Sequence, residues 1–352
     1  MDSGYSSEKS ASIISLDELI ETLPCNQTVG DNFIRAWSII NNPKYEKICC
    51  SVSGGSDSDI MMDICTKVDI HHKITYVFYN TGLEYSATKE HIKYLEQKYH
   101  VEIKTYEAWK YGMPIPTSCK KYGQPFLSKT VSEYIQRLQL HHFKWEDKSF
   151  EELYEEYPNC FSALEWWCNR KKSDANNVCN NKWLKEFLIA NPPTFPISNK
   201  CCQKSKKDIA HKILENGKYD LNITGVRKAE GGARAGAYKN CYTVKDDGYD
   251  FYRPIFFYKN DDKVCYEQHY GIEHSRCYTQ YGLKRTGCVG CPYGRNLEQE
   301  LEATKIYEPK LYNAVCNVFK DSYEYTRQYR QFYDEMNRKN KTYHQLTLSD
   351  FI

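Results

Sequence analysis

Short apolar runs separated by amphipathic stretches set the pattern of the first third of the chain. Lys47-Ile-Cys-Cys-Ser-Val-Ser53 is an apolar run of strand length that ends directly in Gly54-Gly55, and a helical pattern follows from Ile60 to Val68. Ile74 to Tyr79 predicts a second strand, which stops at Asn80-Thr81-Gly82 before a helix from Ser86 to Tyr99. A third strand, Val101 to Tyr106, follows at once, and Tyr219 to Thr224 predicts a later strand that returns to the same sheet. Strands alternating with helices predict an α/β fold, with a parallel sheet covered by helices on both faces. Such sheets bind ligands at the carboxyl ends of their strands, where both glycine turns fall.

The pattern elsewhere is helical. Residues 1-45 are polar, then weakly periodic from Leu16 to Leu23 and Phe33 to Ile40, and predict a helical lead-in. Residues 128-190 are aromatic and charged, with Trp145, Trp166, Trp167 and Trp183, and predict a helical insertion in a main domain spanning 46-300. Tyr307 to Asn340 is amphipathic and rich in tyrosine, so 301-352 is expected to be a helical extension.

Composition narrows the possibilities. At 352 residues and 41% apolar side chains the chain can bury a full core. Its 48 basic and 46 acidic residues give no global field toward nucleic acid, although a local basic groove would escape that count. No run approaches the ~18 apolar residues that would span a bilayer, and the first residues lack the order of a secretory signal. The expected location is the cytoplasm, away from membranes. Thiols stay reduced there, so the sixteen cysteines read as metal ligands, redox groups or buried apolar residues before disulfides.

The first glycine turn carries the clearest chemistry. Ser53-Gly54-Gly55-Ser56-Asp57-Ser58 joins a predicted strand to a predicted helix. Glycines let the backbone approach an anion, the helix start offers unpaired N–H groups and a positive dipole end, and the serines add hydroxyl donors. The alternative is a tight turn with Ser56 or Asp57 capping the helix. The spacing differs from GxxxxGK[ST], which disfavours P-loop NTPases.

The string resembles the PP-loop of the ATP pyrophosphatase superfamily, whose members adenylate a substrate and release pyrophosphate. The resemblance implies that Ser53, Gly54, Gly55, Ser56, Asp57 and Ser58 hold phosphates with Mg²⁺. Asn80-Thr-Gly-Leu-Glu-Tyr-Ser-Ala-Thr88 is similar to the second motif of the phosphoadenosine phosphosulfate (PAPS) reductase family, and Thr224-Gly-Val-Arg-Lys-Ala-Glu-Gly-Gly-Ala-Arg234 to its TGxRxxEsxxR loop. Thr81, Gly82, Glu84, Gly225, Arg227, Lys228 and Arg234 are thereby implied at the nucleotide, the arginines able to fork onto an oxyanion. A solvated basic loop is the plainer reading of the last three. The resemblance covers roughly residues 47-107 and 196-295 and implies an adenine-nucleotide alpha-hydrolase-like fold.

Cys201-Cys202 lies 85 residues before Cys288-Val-Gly-Cys291. Four thiolates suit either zinc or a [4Fe-4S] cluster, and adjacent cysteines reach two irons of a cubane more easily than one small ion. The pairs resemble the cluster signature of the adenylylsulfate (APS) reductases, which implies Cys201, Cys202, Cys288 and Cys291 as ligands. Lys206 matches the lysine of that family's CCxxRK string, while Ser205 replaces its arginine. Asp57, Lys206, Arg227 and Arg234 are the residues to which the resemblance assigns the reaction. Cys119 and the other cysteines have no motif around them.

Two departures separate the chain from the reductases. Their nucleophilic cysteine lies in a C-terminal Glu-Cys-Gly motif, whereas this chain has no cysteine after Cys316, and their PP-loops tend to be degraded, whereas SGGxDS is entire here. The expectation is an enzyme binding ATP, with transfer of sulfur to a nucleic acid (DNA or tRNA) or a small acceptor and a cysteine desulfurase as one candidate donor. A divergent reductase taking APS or PAPS, with its nucleophile moved to Cys277 or Cys316, is the second expectation. A nucleotide- and cluster-binding subunit without turnover is the third, its aromatic insertion and tail open to nucleic acid. Homo-oligomerisation stays open.

Overall fold

Strand β1 (Ile48–Val52) is apolar on both faces because both are covered: Ile48, Cys49 and Cys50 are fully buried. In the computed structural model, which describes residues 15-231, 238-246 and 248-349, β1 runs parallel to β2 (Ile74–Asn80) on one side and to β4 (Leu221–Thr224) on the other. The six-stranded order is β3-β2-β1-β4-β6-β5, with β3 (Ile103–Glu107), β5 (Tyr242–Thr243) and β6 (Asp250–Tyr252) completing it. The fold is α/β, as the alternating pattern predicts.

One strand departs from a wholly parallel sheet. β6 joins β4 in parallel, but β5 turns back antiparallel at the edge, so the sheet is mostly rather than wholly parallel. Strands of two and three residues are too short to carry a legible alternation.

The chain divides into two compact units that interleave in sequence. The first comprises residues 1-79, 86-106 and 210-287, and the second 80-85, 107-209 and 288-352. The expected lead-in thus belongs to the sheet unit. Its helix Gln27–Ile40, capped by Asn26 accepting from Val29 N–H at 3.1 Å, buries Val29, Phe33, Ala36 and Ile40 at helical spacing in the sheet core. Val29, Phe33 and Ile40 each contribute roughly 1.5–3 kcal/mol by burial.

The expected insertion and tail share the second unit and a single core. Tyr325 and Tyr329 of helix Lys320–Ser349 pack on Phe187 with ring centroids 4.9 and 5.3 Å away, and Phe126 lies 4.8 Å from Tyr325. Their hydroxyls donate to Asn191 O at 2.6 Å and Lys182 O at 2.8 Å, so neither ring is burdened with an unpaired polar tip. These tail tyrosines are core residues, which removes them from any base-stacking role. No helix among the described residues is long and apolar enough to cross a membrane.

Candidate functional site

In the sheet unit the candidate anion cradle lies where β1 meets helix Ser56–Val68. Gly54 has φ +67°, and a Cβ there would stand 3.0 Å from Thr88 Cγ2, so the bend needs glycine twice over. Gly55 at the N-cap has no side chain to cap the helix that follows. Ser53 N–H donates to Ser58 Oγ at 2.9 Å and closes the bend. The Tyr278 hydroxyl accepts from Ser56 N–H at 3.1 Å and from Thr286 N–H at 3.2 Å, an oxygen between two backbone donors as an anion's would be. Gly225, after β4, lies against the Asp57 and Ser58 backbone.

Charges converge on the first helical turn. Asp57 is paired with Arg227 Nε and Lys263 Nζ, each at 2.9 Å, and Lys263 also donates to Ser56 Oγ at 2.5 Å. Arg227 is buried and held further by Asn260 at 3.2 Å. Behind this pair, fully buried Asp59 accepts from His274 Nδ1 at 2.8 Å, and His274 Nε2 lies 2.8 Å from Glu267. His91 Nε2 is 3.0 Å from Asp59, close enough for an ion pair but off the direction of a hydrogen bond. Burial alone would lower the His274 pKa, but its hydrogen bonds to Asp59 and Glu267 outweigh that and raise it to about 9. His274 is therefore an imidazolium at neutral pH, and three cations face three carboxylates.

Of the residues expected at the nucleotide, the structure gathers Ser53 to Ser58, Gly225 and Arg227. Lys228 is exposed, and Arg234 lies outside the described residues. Thr81 and Glu84 belong instead to the second unit, where they meet a cysteine. The Thr81 hydroxyl donates to Glu84 Oε1 at 2.8 Å and lies 3.5 Å from Cys288 Sγ, while the Glu84 and Cys288 backbones form an antiparallel bridge. Gly82 donates its N–H to Asn80 Oδ1 at 3.0 Å in the same turn.

Around Cys288 the second unit assembles the thiols. The Cys201 pKa is raised first by a hydrogen bond with Cys119, and Cys291 adds to it; the Cys202 pKa is raised first by its bond with Cys201. Burial raises Cys288, and Glu84, Cys291 and Cys202 push in the same direction. These mutual influences put the two distant pairs in the same region of the second unit. Crowded thiols are hard to ionise unless a cationic centre compensates them, as iron in a cluster does. Among the described residues, no three His, Cys, Asp or Glu side chains close on one point as a single ion requires. Four thiols are a donor set chemically suited to a cubane, which spreads its ligands over four irons, as well as to zinc.

The Cys288–Cys291 turn is fastened by the tail. Gly290 has φ +58°, its missing Cβ would fall on the Tyr323 hydroxyl, and that hydroxyl donates to Gly290 O. Sequence reasoning missed Tyr323, Cys119, Lys263, His274 and Tyr278, which stand in no motif. Lys206 is exposed, on the π-helical turn Gln203–Lys207, and its charge lowers the Cys202 pKa. Cys277 is fully buried and 3.6 Å from the Thr88 hydroxyl, which leaves no open path to it as a nucleophile.

Residues 47-114 match the phosphoadenosine phosphosulfate reductase domain. The match covers less than a fifth of the chain. The matched segment contains the cradle and the Thr81–Glu84 turn, but not the later arginine loop or the four cysteines. An uncharacterised 37.8 kDa protein of Escherichia phage 186 is 27% identical over 255 residues, 70% of this chain and 67% of the phage protein. Among solved structures, the chain is similar to phosphoadenylyl-sulfate reductase from Candida auris in a phosphate complex, with 13% identity, TM-score 0.40, and 81% and 98% of the two chains covered. It is similar to NH3-dependent NAD synthetase from Campylobacter jejuni (12%, TM-score 0.35, 85% and 95% covered). It is also similar to the U34-tRNA thiolase NcsA from Methanococcus maripaludis with its [4Fe-4S] cluster (13%, TM-score 0.37, 86% and 80% covered). Likenesses of this size are too distant to assign a reaction to this chain.

Proposed function

We propose that the protein is an ATP-dependent adenylating enzyme that transfers sulfur, with ATP in the Ser53–Ser58 cradle and a [4Fe-4S] cluster on Cys201, Cys202, Cys288 and Cys291. The observation that carries this reading is the complete cradle: a glycine bend, an uncapped helix start, and Arg227 and Lys263 on Asp57. In the reaction an acceptor oxygen displaces pyrophosphate from ATP, and sulfur then displaces AMP from the activated acceptor.

The residues divide that work. The helix N–H groups and serine hydroxyls bind phosphate oxygens, and Lys263, on a flexible stem, can move from Asp57 onto the departing pyrophosphate. Arg227, buried and doubly held, stays as a fixed positive charge beside the cradle. The resident charges already balance, so a triphosphate brings an excess of negative charge, and Mg²⁺, which the Asp57 carboxylate could help to hold, would offset part of it. Arg234 is assigned with Arg227 to the nucleotide by sequence alone. A cluster held by Cys201, Cys202, Cys288 and Cys291 would have a thiolate on every iron and would supply one-electron redox chemistry rather than an open site for sulfur. A persulfide from a cysteine desulfurase is a suitable sulfur source: its outer sulfur bonds to the acceptor as AMP leaves, and a thiol reductant supplies the two electrons that cleave the remaining S–S bond.

ATP consumption separates this reading from sulfonucleotide reduction. Pyrophosphate release that needs ATP and rises with an acceptor supports adenylation; sulfite made from APS or PAPS with no ATP consumed would contradict it.

A further inference from the structure

The surface around the tandem cysteines is basic out of proportion to the chain. Residues 108-132 and 187-207 hold eight lysines and no Asp or Glu, in a protein whose net charge is only +2. The fold brings these two stretches together within the second unit. Gln124 N–H donates to Pro196 O and Ser198 N–H to Gln124 O, each at 2.9 Å, and Met113 N–H donates to Lys204 O at 3.3 Å. The Cys119 thiol on one stretch bonds the Cys201 thiol on the other.

Most of these lysines have no acidic partner among the described residues. Lys110, Lys120, Lys121, Lys129 and Lys207 are exposed, and among the described residues Lys204, with Asp208 at 2.7 Å, is the one of the eight in an ion pair. Helix Ile115–Tyr122 of one stretch packs on Lys200–Cys202 of the other, so the basic face includes the tandem cysteines. Beside it stands an aromatic turn. Trp109 is 69% exposed and Tyr111 37% exposed, and Lys110 Nζ is 5.4 Å from the Tyr111 ring. An indole left this open costs hydrophobic free energy that a stacked base would recover.

Lysines without acidic partners neutralise phosphates, and open rings beside them take unpaired bases, whereas a duplex hides its base faces. We propose that this face binds a single-stranded polynucleotide, with lysines on its phosphates and Trp109 and Tyr111 on its bases, and that this strand is the acceptor of the sulfur chemistry. The acceptor role rests on the proposed function; the binding does not.

Fluorescence anisotropy with labelled single-stranded RNA and DNA oligomers, a duplex of the same sequence and polyglutamate tests this on the full-length protein. The expected result is preference for one or both single strands over duplex and polyglutamate, with an affinity falling linearly in log salt. Lys120→Glu/Lys121→Glu/Lys207→Glu should weaken binding at least tenfold and flatten the salt slope. Trp109→Ala should also weaken it about tenfold but leave the slope unchanged. RNA against DNA then identifies the source of the strand. Equal binding of polyglutamate or duplex, or full binding by both variants, would overturn the proposal. ATP-dependent pyrophosphate release with no strand binding would sink this inference and leave adenylation standing; strand binding with no ATP consumption under any condition would do the reverse.

Discussion

The two units carry their chemistry in different ways. In the sheet unit the cradle is contiguous: six consecutive residues, Ser53 to Ser58, make the bend and the helix start, and distant residues only add charge to it. In the second unit four thiols come from two segments more than eighty residues apart, and each is held by neighbours from elsewhere, Tyr323 for the Cys288–Cys291 turn and Cys119 for Cys201. A local site is fixed by backbone geometry and should fail at single glycines. An assembled site is fixed by packing and should fail at its ligands.

That contrast can be broken at its strongest points first. Cys288→Ser should reduce bound iron to near zero and abolish visible absorbance while nucleotide binding persists, checked by iron analysis and by calorimetric titration with ATP. Joint loss of both would mean that the units are not separable. Gly54→Val should do the converse, weakening ATP at least a hundredfold through the positive φ and the Thr88 contact, with iron unchanged.

Smaller effects sharpen the picture within the sheet unit. Lys263→Ala should lower the rate of ATP-dependent pyrophosphate release by about 10²–10³ with a lesser effect on the KM for ATP, because its help grows as the pyrophosphate leaves. His274 gives a pH test whose sign is fixed. Its folded pKa, about 9, lies above the ordinary value of 6.5, so its stabilisation is complete below about 6.5 and is lost as pH rises through 9. Urea unfolding should show stability falling by up to about 3 kcal/mol across that window. His274→Gln should flatten the profile, and an unchanged slope would remove the imidazolium from the account.

Much of this was legible in the sequence, and the exceptions share a cause. β1 to β4 and the cradle are local patterns, and the chain spells them in order. The cysteine pairs are legible as pairs because their spacing is chemical. β5 and β6 are too short to show alternation, and Thr81 and Glu84 read as nucleotide residues from their motif although their contacts run to Cys288. Lys263 and His274 lie on unremarkable stretches, and only folding sets them beside Asp57 and Asp59. The insertion and tail look separate because the Phe126, Phe187, Tyr325 and Tyr329 core joins residues some 200 positions apart.

Thiol convergence is the claim on which the rest turns, and iron and acid-labile sulfide per chain after anaerobic purification measure it most directly. The account predicts about four of each per chain, with a broad visible absorbance that Cys202→Ser removes. Bound zinc in place of iron, or iron content indifferent to the loss of Cys202, would contradict it.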